Sequence, residues 1–90
     1  MKFSLGKLVW TRGVNDLAAE NAEFAEFVSA SIKRHANGDW GDLCDEDRFA
    51  NDDALQHGGR LLSAYGSARK IWIITEWDRS ATTILFPEEY

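Results

Sequence analysis

The chain has 90 residues, 44% of them hydrophobic and 12% aromatic, with a formal net charge of −5 and a pI near 4.8. That length suits a single domain over residues 1–90, and four Trp, five Phe and two Tyr supply the bulk that so small a chain needs to close a core. The acidic balance argues against direct binding of nucleic acid and against adhesion to anionic membranes, both of which need clustered basic surface, and it favours a basic partner.

One cysteine, Cys44, excludes an internal disulfide and fits a reducing compartment. The first ten residues alternate instead of forming a basic start and an apolar run, so no secretory signal is read there. The longest apolar run is Ile71–Ile74, and a cytoplasmic protein is expected.

Phe3–Thr11 alternates, Leu8 and Trp10 pointing one way and Lys7, Val9 and Thr11 the other, which predicts a strand ended by Gly13. A helix follows, capped by Asn15 or Asp16, with Leu17, Phe24, Val28 and Ile32 on one face. Asn21 is a second available cap, which would divide the segment into a short helix and a longer one from Ala22. Early Glu20, Glu23 and Glu26 and late Lys33, Arg34 and His35 complement the helix dipole, and Asn37-Gly38 supplies the stop.

Gly38–Asp53 then holds seven of the fifteen carboxylates (Asp39, Asp42, Asp45, Glu46, Asp47, Asp52 and Asp53) against Arg48 alone. Its formal charge is −6, while the other residues, with eight acids and nine bases, sum to +1. Asp42 is the expected N-cap, with Asp45 and Glu46 in the first turn. Leu43, Ala50 and Ala54 give a thin buried stripe, Asn51-Asp52 offers an interruption, and Gly58-Gly59 ends the helix.

Arg60–Tyr65, Lys70–Trp77 and Ala81–Phe86 read as strands joined by short turns. Lys70–Trp77 carries bulky apolar groups on both faces and reads as central. The expected fold is α+β, in the order β-α-α-β-β-β, with an antiparallel sheet of about four strands and helices packed on one face.

The acidic block invites a comparison with the carboxylate patterns of metal and catalytic sites. An EF-hand loop fails: begun at Asp45 it places Phe49 and Ala50 at its fifth and sixth positions, and begun at Asp39 it places Gly41 at its third. His35, Cys44 and His57 lack the close pairs of a zinc site, and carboxylates around Cys44 disfavour a thiolate. Asp39, Asp42, Glu76, Asp78 and Arg79 are the residues a divalent-metal or acid–base enzyme would use. Trp40 is either an exposed aromatic anchor or a core plug, and Trp72, sharing a face with Glu76, is the expected surface aromatic. A homodimer would use the sheet edge or an outer face with Trp72 and Ile74.

The runs HANGDWGDL, EDRFANDDAL, RLLSAY and IWIITEWDRSATTILFPEEY resemble a family of small bacterial proteins described as plasmid-related. The resemblance covers most of the chain from Leu5 onwards. It carries no activity and assigns no residue a role, but it implies a bacterial, mobile-element setting. By analogy, and with no matching motif behind it, small acidic proteins of about this size in such settings often oppose CRISPR or restriction complexes by occupying basic surfaces meant for nucleic acid. The expectation is therefore a non-enzymatic interaction protein without a cofactor. Its partner-binding residues are Asp39, Trp40, Asp42, Asp45, Glu46, Asp47, Asp52 and Asp53, and they meet a basic protein surface.

Overall fold

The alternating and helical periodicities resolve into three helices and a four-stranded sheet in a computed structural model that describes residues 1–90. The elements are β1 (Lys7–Trp10), α1 (Arg12–Glu20), α2 (Ala22–Ala36), α3 (Asp45–His57), β2 (Leu61–Tyr65), β3 (Ile71–Thr75) and β4 (Ala81–Leu85), with a 3-10 turn at Pro87–Glu89. No helix is long and apolar enough to cross a membrane.

The α+β class is as expected, but the sheet is mixed. Its order is β1-β4-β3-β2; β2, β3 and β4 pair antiparallel through short turns, whereas β1 runs parallel to β4. Short turns govern only sequential strands. Three helices, two strands and most of the chain lie between β1 and β4, so the direction of that pair is free of the rule.

Helix starts differ from the sequence reading in an informative way. Thr11, not Asn15 or Asp16, caps α1, its Oγ1 accepting from Val14 N–H at 3.5 Å, whereas Asn21, the second cap expected, does cap a helix from Ala22 through Phe24 N–H at 3.1 Å. Gly13 therefore does not end a strand but sits in the first turn of α1. A Cβ there would lie 2.6 Å from Glu89 Oε2, the carboxylate that accepts from Gly13 N–H and Thr11 Oγ1 and so closes the helix N-terminus from the far end of the chain.

Val14, Phe24 and Val28 from the helices meet Tyr65, Ile71, Ile73, Ile84 and Phe86 from the sheet in one apolar cluster. Burial of each large side chain there contributes about 1.5–3 kcal/mol. β3 is buried on both faces: Ile71 and Ile73 face the helices, while Ile74 faces away and is still only 2% exposed. On that second face Trp72 packs edge-on against Tyr90 at 5.7 Å, and the Arg60 guanidinium lies over Tyr90. Trp72 is thus half-buried, and the solvent-facing indole is Trp77, 70% exposed beyond the end of β3.

Candidate functional site

The acidic segment folds against the outer edge of β2, and three devices fix it there. The main chain at Trp40–Asp42 pairs with β2: Ala64 N–H donates to the Trp40 carbonyl (3.3 Å) and Asp42 N–H to the Ala64 carbonyl (2.7 Å). Gly41 permits this approach, with φ of 73° and no side chain where a Cβ would lie 2.0 Å from the Ala64 oxygen. Asn51, the one buried residue of α3, uses its amide as a strand would. Its Nδ2 donates to the Leu62 carbonyl (2.6 Å) and its Oδ1 accepts from Leu62 N–H (3.1 Å). A sheet edge that would otherwise invite another chain is closed by these bonds.

This explains why Asn51-Asp52 does not interrupt α3. The Asn51 side chain bonds β2 and leaves its own backbone in the helix. The start also differs from expectation: Cys44 occupies the N-cap, without a side-chain bond, and Asp42 lies outside the helix. Asp45, Glu46 and Asp47 fill the first turn, as charge–dipole complementarity favours.

Trp40 is a core plug. It is 3% exposed, packs on His35 (ring centroids 5.6 Å) and Phe3 (6.2 Å), and donates from Nε1 to Asp52 Oδ1 at 2.9 Å. Its burial removes it from any docking surface and sets Asp52 partly to structural use.

The other carboxylates divide by partner. Asp39 takes a forked pair of bonds from Arg34 (2.7 and 3.2 Å) and one from Gly41 N–H, and the Arg34 guanidinium holds its carboxyl below the usual range. Asp53 lies 3.1 Å from His57 Nδ1 across one exposed turn. Asp42, Asp45, Glu46 and Asp47 are exposed and have no side-chain partner. Arg48, the only base in the stretch, bonds the carbonyls of Leu43 and Gly41 instead of a carboxylate.

Helical geometry sorts these groups by direction. At about 100° per residue, Phe49 and Asp53 fall about 160° and 200° from Asn51, on the side facing away from β2. Asp45, Glu46 and Gln56 flank them, while Asp47 falls back towards the sheet side. Phe49 is 71% exposed, and its neighbours one turn before and after, at i−4, i−3, i+3 and i+4, are Asp45, Glu46, Asp52 and Asp53. The acids bracket the ring without neighbouring one another at i+3 or i+4. Phe49 was missed in reading the sequence as charge alone, although the spacing that surrounds it with acids is visible there.

The residues named for an enzyme do not converge. Glu76 pairs with Arg60 (3.8 Å), and Asp78 accepts from Ser80 N–H in its own turn (3.0 Å). Arg79, with φ of 61°, spends its guanidinium on four carbonyls, those of Ala54, Gly59, Glu76 and Trp77. Asp39 is bound to Arg34, and Asp42 belongs to the β2 edge. His35 is buried, Cys44 begins α3 and His57 ends it; no three His, Cys, Asp or Glu side chains gather as a metal site would require. The two surface depressions lie instead along α2, at Ala25–Lys33 and between Asn21 and Arg69.

Comparison with protein-family models, with curated proteins and with solved structures finds no match to this chain.

Proposed function

We propose that the protein is a docking protein, without catalytic activity, whose α3 presents Phe49 within a bracket of carboxylates to a basic protein surface. The observation that carries this reading is the exposed Phe49 ring facing away from β2, with Asp45 and Glu46 a turn before it and Asp52 and Asp53 a turn after. Aromatic side chains surrounded by polar groups are the usual anchors of protein interfaces, and the charge would steer encounter and make association salt-sensitive. Together with the resemblance to plasmid-related proteins, this supports a counter-defence role in which α3 occupies a nucleic-acid-handling surface of a CRISPR or restriction complex.

The test is affinity capture from a bacterial lysate at low salt with four baits: wild type, Phe49→Ala, the triple variant D45K/E46K/D53K, and Asp47→Lys. A basic protein retained by wild type and Asp47→Lys but lost by the other two is expected. Equal retention by all four baits would refute the reading.

A further inference from the structure

A chain of buried hydroxyls runs from α2 through the sheet to the segment before β1, and counting protons fixes its direction. Thr82 Oγ1 donates its only proton to the Leu5 carbonyl at 2.7 Å. In the contact between Thr75 Oγ1 and Thr82 Oγ1 (2.7 Å), Thr75 is therefore the donor. Thr75 must then accept from His35 Nε2, 2.8 Å away, so His35 carries its proton on Nε2 and its Nδ1 accepts from Ser63 Oγ at 2.5 Å. All four side chains are fully buried.

No carboxylate touches the imidazole. Burial opposes a positive charge there, and the nearby charge of Arg79 in the β3–β4 turn adds to the effect. The other charged or titratable groups stand one residue removed: Tyr65 beyond Ser63, Asp52 beyond Trp40, and the Arg34–Asp39 pair at the end of α2. The rings of Phe3 (5.4 Å) and Trp40 (5.6 Å) pack against it. A proton on Nδ1 would force Ser63 to turn from donor to acceptor and leave a cation beside Arg79 with no anion in contact.

The least secured element around this ring is the segment Lys2–Gly6. It has no regular structure, and it is held by Lys2 N–H on the Ala36 carbonyl (2.8 Å), by the Phe3 ring, and by the Thr82 bond to Leu5. We propose that His35 is a proton-operated latch: protonation of Nδ1 releases Lys2–Gly6 from the junction of α2 and the sheet while the sheet stays closed. Release opens the Phe3 side of His35 to water, where the imidazolium is stable. With His35 at about 4 when latched and rising towards the free value of 6.5 when released, the opening constant rises by up to about 30-fold between about pH 7.5 and 5.

Amide hydrogen exchange read by NMR, corrected for intrinsic rates, tests this at Lys2 and at Ile73 in the central strand. The expected result is a Lys2 opening constant that rises severalfold, up to about 30-fold, between those pH values and exceeds that of Ile73 throughout. In His35→Gln, whose amide can both donate and accept but does not titrate, the rise should vanish. A flat Lys2 profile, coincident opening at Lys2 and Ile73, or an undiminished rise in His35→Gln would overturn the latch. Should His35→Gln not fold, Thr82→Val decides: it should open Lys2 at pH 7.5 more than it opens Ile73, and an equal change at both sites would overturn the proposal.

Discussion

His35, Asn51 and Gly41 each hold the fold by a contact that no neighbouring residue type reproduces. Burial, with the Arg79 charge beside it, lowers His35 to about 4, so the folded chain keeps this imidazole neutral. The contribution is complete above the unfolded value of about 6.5 and is lost as pH falls from there towards 4, a change on the order of 2–3 kcal/mol. Urea unfolding at pH 7 and 4.5 should show this loss, and His35→Gln should flatten it. At the alkaline end burial pushes Tyr65 up to about 12. Its contribution is present below about 10 and declines as pH rises from there towards 12, by the same linkage. Asn51→Ala strips the Leu62 N–H and C=O of their partners and should cost about 1–3 kcal/mol in urea unfolding, with Asn51→Asp failing to restore it because a carboxylate cannot donate to the carbonyl.

Among the elements, the central strand β3 and the two-helix division at Asn21 could be read from residue types, because apolar groups on both faces and an Asx cap act locally. What could not be read depends on contacts distant in sequence. The parallel β1–β4 pairing, the Glu89 closure of α1, and the Asn51 grip on β2 join residues whose proximity no periodicity encodes. The same holds at the candidate site: the cluster of acids was legible, but the use of Asp39 and Asp52 by Arg34 and Trp40 was not. Under the proposed function, stability and docking would separate within α3. Phe49→Ala should leave the midpoint of urea unfolding within about 0.5 kcal/mol of wild type, since an exposed ring has little to lose. Reversal of Asp45 and Glu46 should cost about 0.3–1 kcal/mol each through the helix dipole, and less at high salt.

For the whole molecule, one sheet edge is closed and one face of the closing element is left charged. The N-terminal segment, Trp40 and Asn51 pack the acidic segment onto β2, which fixes α3 at the sheet edge with its outward side free. A surface held in place before association loses less conformational freedom on binding, and the affinity of the proposed docking should fall with ionic strength. The most direct measurement is a map of amide-exchange protection on the isotopically labelled protein, free and bound to the basic protein that the proposed docking role would capture. Protection confined to Asp45–His57, centred on Phe49 and weakened by added salt, is the predicted result. Protection on β1 or α1 with α3 unchanged would contradict the docking role of the acidic helix.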